Sequence, residues 1–166
     1  MIRLLENEET KDIRLYDTVS YAGYDWYVIG LDSGSVTLLV KDNDVFGRCI
    51  FDKKSNDYKT SNIRNYLNST FLSKLESKGA NPLPVRLPDV GCTDKVWLLS
   101  VDEAEKLPRD IRKFSRVWWL RSRGRRDRNA ACVLTFGDVD VYGISVNNDL
   151  LAVRPAIKVM LEELQK

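Results

Sequence analysis

Apolar and β-forming residues cluster in three early stretches, Thr18–Ser20, Tyr24–Leu31 with its run Asp25-Trp26-Tyr27-Val28-Ile29-Gly30, and Ser35–Lys41, and each predicts a β-strand. The turn Asp32-Ser33-Gly34 closes a hairpin that folds Val36, Leu38 and Val40 back onto Tyr24–Leu31. Val45–Lys54 has no clear period and reads as a loop with a short strand. A helical period follows: Ile63, Tyr66, Leu67, Phe71 and Leu75 recur behind Ser61, a suitable N-cap. They predict a helix over Thr60–Leu75, stopped by Gly79. Pro82, Pro84 and Pro88 make Asn81–Val90 an extended connector. Lys95–Ser100 reads as a strand, and Ser100 with Glu103 as the capping box of a short helix through Lys106. Pro108 limits that helix, and Asp110–Phe114 adds a turn.

From Trp118 to Ile157 the pattern changes again. Val117–Leu120 predicts a strand, and Gly124–Asn129 a loop with no large apolar side chain. Ala131–Phe136 and Val139–Tyr142 predict a hairpin about Gly137-Asp138, and Val153–Met160 a last strand whose Pro155 requires an edge or a bulge. Ala130, Ala131, Val133, Gly137, Val139, Gly143 and Val146 read as framework. The gaps hold Arg125, Arg126, Asp127, Arg128, Cys132, Leu134, Phe136, Asp138, Asp140, Tyr142, Ile144, Asn147, Asn148 and Asp149, the candidate ligand-binding set. On an extended strand Ala131, Val133 and Thr135 share one face, and Cys132, Leu134 and Phe136 the other. Asp138, Asp140 and Tyr142 likewise oppose Val139 and Val141. With the framework face packed, the other presents Leu134, Phe136 and Tyr142 beside charges, the composition of a protein-binding hot spot. Trp118, Trp119, Arg121, Arg154 and Pro155 are assigned to the scaffold.

The predicted fold class is α+β, with an antiparallel β core, two main helices and a long, loop-rich C-terminal β region. A single domain is expected over residues 18–166 behind an extension at 1–17, with residues 118–157 as the display region. Met1–Asp12 is charged, with Ile2, Leu4 and Leu5 as its apolar grip, and reads as a short helix or a loose arm.

Composition narrows the chemistry more than it names it. A chain of 166 residues can bury about 70% of its unfolded surface, so no disulfide or metal staple is required. The net charge of +2 points to no partner. Absence of histidine removes the commonest general base, metal ligand and pH switch together. Cys49, Cys92 and Cys132 are odd in number and widely spaced, which reads as reduced thiols. No apolar run resembles a signal peptide or a membrane span, so a cytoplasmic protein without a membrane partner is expected, with a phage particle or export by another route as alternatives. A monomer is expected rather than an obligate oligomer.

Several residues carry two readings. Trp118 and Trp119 are ligand platforms, or a pair with one ring in the core and one at its boundary. Arg121, Arg123, Arg125, Arg126 and Arg128 form a solvated loop, with Arg121 tied to a buried carboxylate, or a contact for an acidic partner, glycan sulfate or nucleic-acid phosphate. Asp127 within the run and the lack of interleaved aromatics disfavour nucleic acid. Arg154 reads as structural, bonding carbonyls or a carboxylate. Asp138, Asp140 and Asp149 lack the compact oxygen spacing of a calcium loop, so structural calcium is unsupported and no cofactor is assigned. Cys132 reads as a small buried hydrophobe rather than a reactive thiol, despite its place in the display pattern.

Three blocks also resemble a bacterial domain family. Ser61-Asn62-Ile63-Arg64-Asn65-Tyr66-Leu67-Asn68 with Phe71 resembles its S-x-I-R-x-W-L-N helix. Thr93-Asp94-Lys95-Val96-Trp97-Leu98-Leu99-Ser100 with Glu103 resembles its T-D-K-V-F-L-L-S-x-x-E block. Trp118-Trp119-Leu120-Arg121-Ser122 through Val153-Arg154-Pro155-Ala156 resembles its C-terminal block, with Arg123 where a proline is frequent. The resemblance implies a C-type-lectin-type fold, related in shape to formylglycine-generating enzymes and similar to the variable proteins of diversity-generating retroelements. In those systems a reverse transcriptase rewrites adenines in the segment encoding the C-terminal binding face. The expected function is therefore a non-enzymatic domain presenting a diversifiable surface to a protein or other macromolecule. The alternatives are a formylglycine-generating-type enzyme, or a polyanion-binding module acting through Arg121–Arg128.

Overall fold

The computed structural model describes residues 12–41 and 48–165. The predicted N-terminal arm up to Lys11 and the start of Val45–Lys54 lie outside these residues. Strands β1 (Thr18–Tyr21), β2 (Tyr24–Asp32) and β3 (Ser35–Val40) come first. A helical run follows, α1 (Asn62–Tyr66) and α2 (Leu72–Ser77) joined by a π turn at Leu67–Phe71. Next are β4 (Val85–Leu87), β5 (Cys92–Asp94), α3 (Val101–Glu105) and α4 (Arg109–Arg112). Strands β6 (Trp118–Arg123), β7 (Asn129–Val133), β8 (Val139–Ser145) and β9 (Ala156–Met160) complete the order. This is an α+β fold whose sheets are antiparallel: β1-β2-β3-β9, β4-β5 and β6-β7-β8. Among the described residues no helix is long and apolar enough to cross a membrane.

The early elements lie where periodicity predicts them. Ser61 caps α1 by accepting from the Arg64 amide. Ile63, Leu67, Phe71 and Leu75 are all buried, a strict spacing of four. On an α-helix that spacing drifts about 40° per step, and the wider π turn brings the stripe back toward the core. Pro155 immediately precedes β9, an edge strand, so its missing N–H interrupts no ladder.

Lys95–Ser100 departs from its predicted strand. Only Trp97 pairs, in a single bridge to Ala156. The other backbone groups of the segment find partners elsewhere. The Lys95 and Val96 amides donate to Asn68 Oδ1, and Asn68 Nδ2 donates to the Val96 carbonyl. The Leu98 amide donates to Tyr58 Oη, and Leu98 and Leu99 carbonyls accept from Arg121. A β-forming sequence thus stays outside a ladder because its donors and acceptors are already satisfied. The Ser100–Glu103 capping box forms as predicted.

Arginines join the same blocks. Arg64 forms a fork onto Asp94, with bonds of 2.7 to 3.0 Å. Arg121 bonds Asp89 and Glu103, so its carboxylate partners are half-exposed rather than buried. The Arg121 guanidinium, hydrogen-bonding Asp89, holds that carboxyl below the usual range, although burial opposes the shift. Asp89 therefore stabilises the fold fully above its unfolded value near ~3.9, and this contribution disappears as pH falls through the lowered folded value. Urea midpoints should drop from about pH 5 to pH 2, and part of the drop should vanish in Asp89→Asn.

Candidate ligand-binding face

The late sheet is organised by two irregularities. Between its pairs with Cys132 and Ala130, β6 runs from Trp119 to Arg123, so extra residues bulge at Leu120–Ser122. Strand β8 bulges similarly between Asp140 and Ile144. The first bulge turns Arg121 inward and lets Ser122 Oγ accept from the Val101 amide. In the second, Asp140 Oδ1 accepts from the Tyr142 and Gly143 amides. Gly143 has φ +85°, and a Cβ there would lie inside contact distance of the Ala130 carbonyl.

These features correct the simple alternation. Strand β7 is central and covered on both faces, so Ala130, Ala131, Cys132 and Val133 are all fully buried. Cys132 therefore leaves the display set. Burial, with the nearby charge of Asp140, pushes its thiol up to about 12. Leu134 is half-buried against the core rather than displayed. Ile144, Asp140 and Asn148 are half-buried, whereas Val141, expected on the framework side, is exposed because it lies inside the bulge, between the paired Asp140 and Ile144. Trp118 and Trp119 are both fully buried, donating to the Arg112 and Cys49 carbonyls, which removes the platform reading.

What remains outside is coherent. Among the described residues seven large hydrophobic side chains are exposed, and four of them, Phe136, Val141, Tyr142 and Leu150, fall within this C-terminal stretch. Arg125, Arg126, Asp127, Arg128, Asp138, Asn147 and Asp149 are also exposed. Phe136 is 75% exposed, yet its turn is fixed. Arg109 Nη1 donates to the Phe136 carbonyl and to Asp138, and Arg112 Nε donates to the Gly137 carbonyl at 2.7 Å. Arg125 lies over the Tyr142 ring at 5.2 Å, and its amide donates to the Tyr142 carbonyl. Arg125, Arg126, Asn129 and Tyr142 line an open concavity of ≈ 650 Å³.

The arginine run divides in the fold. Arg121 is consumed inside, and Arg123 bonds Asn56 and approaches Asp57. Arg125, Arg126 and Arg128 form the exposed loop. Buried Asn56 fixes that loop, its Nδ2 donating to the Arg126 and Asn129 carbonyls. Replacing Asn56 with alanine should lower stability by about 1–3 kcal/mol and speed amide exchange at 124–129, read by hydrogen–deuterium exchange. Asp138 pairs with Arg109 and Asp140 caps its own bulge, and among the described residues no group of three or more His, Cys, Asp or Glu gathers.

The arrangement defines an α+β domain carrying an ordered, basic and aromatic loop face. A family model described as a domain of unknown function (DUF6273) matches residues 34–161, and the chain belongs to that family. Comparison with curated proteins and with solved structures gave no match.

Proposed function

We propose that this is a binding domain of C-type-lectin-like fold whose C-terminal face accepts substitution and contacts a macromolecule, most simply a protein. One observation carries the reading. Phe136 holds a large apolar ring in solvent on a turn whose carbonyls are tied down by Arg109 and Arg112. An ordered backbone with an unburied aromatic is a preorganised anchor, and Tyr142 with Arg125 supplies a second one nearby in sequence. The open concavity suits a protruding partner side chain better than an enclosed metabolite. Diversification by a retroelement rests on the resemblance of the C-terminal block.

The formylglycine-generating alternative needs a reactive thiol. Burial raises the pKa of Cys49, Cys92 and Cys132, opposite to what a nucleophile requires. The polyanion alternative keeps only the exposed part of the arginine run.

A protease-coupled display library of all single substitutions across 118–157 tests the proposal. Phe136→Ala and Tyr142→Ala should each change stability by less than ~0.5 kcal/mol, while Trp118→Ala and Val133→Ala should lose ~3 kcal/mol or more. Equal losses at both sets would refute a tolerant face. Randomising Arg125, Arg126, Phe136, Asp138, Tyr142 and Asn147 together should then yield folded binders to an arbitrary globular protein such as lysozyme. A neighbouring reverse-transcriptase gene, with a near-copy of the encoding segment differing at adenines, would support the diversification.

A further inference from the structure

We infer that the cavity beside Arg154 binds a tetrahedral oxyanion dianion, phosphate or the phosphate group of a monoester. The cavity, ≈ 350 Å³, is lined by Tyr27, Lys41, Lys113, Phe114, Ser115 and Arg154. Four parts of the chain meet there: β2, the end of β3, the segment after α4, and the residues leading into β9.

Arg154 differs from the other interior arginines. Arg64 and Arg121 both end on carboxylates. Arg154 is fully buried and forms no ion pair among the described residues. Its Nε donates to the Val40 carbonyl at 3.0 Å and its Nη1 to the Ile111 carbonyl at 2.9 Å. Among the described residues Nη2 has no acceptor. The rings of Phe114 and Trp118, each 4.7 Å away, and Tyr27 at 6.0 Å supply cation–π attraction. Carbonyls and rings carry no net charge, so the guanidinium is solvated by dipoles but not neutralised. Burial pulls its pKa down to about 9, a sign of the same deficit. A structural role needs the two carbonyl bonds. It accounts neither for an orphan donor nor for two more cations around one cavity.

The charge of the cavity selects the ligand. Lys41 Nζ bonds Thr18 Oγ1 at 3.2 Å and lies 5.2 Å from the Tyr27 ring centre, with no carboxylate partner among the described residues. Lys113 has Asp110 at 3.5 Å, an exposed pair that solvent screens. Among the described residues three positive groups against one negative leave two positive charges. That matches a phosphate dianion better than a single carboxylate. The two ammonium groups and the hydroxyls of Tyr27 and Ser115 can together serve several acceptor oxygens, with the buried Arg154 charge behind them.

The test uses the full chain, ¹⁵N-labelled, titrated with sodium phosphate against sodium chloride at matched ionic strength. Phosphate should move the Arg154 Nε–H resonance saturably, and chloride should not. Lys41 and Lys113 are exposed, so K41Q/K113Q should keep its Tm yet bind phosphate at least tenfold more weakly. K53Q/K54Q removes the same charge elsewhere on the surface and should bind as the parent does. Phenyl phosphate binding more tightly than phosphate would assign the site to a monoester, and equal or weaker binding to the free ion. A stationary Arg154 resonance, an equal response to chloride, or equal weakening in the two lysine variants would overturn the inference.

Discussion

Replacing Gly143 with alanine should destabilise the protein by about 3 kcal/mol or more, seen as a large fall in Tm and in the urea midpoint. Two penalties combine. Alanine at φ +85° occupies the left-handed region, and its Cβ would press on the Ala130 carbonyl and the Ala131 amide. Neither neighbour is a flexible side-chain tip that could swing away. Both belong to β7, whose side chains on each face are buried, so any retreat disturbs the core. Gly91 offers the comparison: it also has positive φ, but a Cβ there meets nothing within 4 Å. Gly91→Ala should therefore cost only about 1 kcal/mol. Equal effects at the two glycines would mean that the β8 bulge yields more easily than its packing implies.

The second large effect concerns Arg121 and depends on which partner is removed. Asp89→Asn with Glu103→Gln should cost about 3 kcal/mol, because a buried guanidinium then keeps its charge without a counter-charge. The value sits low in the range for buried pairs because both carboxylates reach solvent. Arg121→Met should cost less than the double variant. It takes the buried charge away, and the carboxylates left behind can hydrate, although the Leu98 carbonyl loses a donor. Equilibrium urea unfolding of both variants near neutral pH ranks them. If Arg121→Met proved the more damaging, packing of the arginine stem would outweigh its electrostatics.

Much of the fold is legible where one face meets water and the other does not. The β-forming runs of β1 and β2 are read this way, β3 is found instead through the turn at Asp32-Ser33-Gly34, and the spacing of Ile63, Leu67, Phe71 and Leu75 locates the helical run. Legibility fails where burial is two-sided. In β7 both faces are packed, so period two no longer distinguishes Cys132 from Val133. It fails again at Lys95–Ser100, whose strand-like composition cannot show that Asn68, Tyr58 and Arg121 will occupy its hydrogen-bonding groups. The exposed face was only partly readable. Phe136, Tyr142, Arg125 and Arg126 lie outside as their pattern suggests, but Asn56, Arg109 and Arg112, which fix the loops carrying them, reach across 25 or more residues. No local signal marks such contacts. The bulge at Asp140–Gly143 has a faint one, a glycine inside a strand pattern.

That bulge also bears on what a substituted face can risk. Strand β8 is the outer strand of its sheet, and a straight outer strand with Val141 and Tyr142 in solvent would invite a second chain to pair along it. The break in ladder spacing and the positive φ of Gly143 deny a newcomer a continuous row of amides and carbonyls. Apolar side chains can accumulate beside this edge without turning the domain into a seed for fibres.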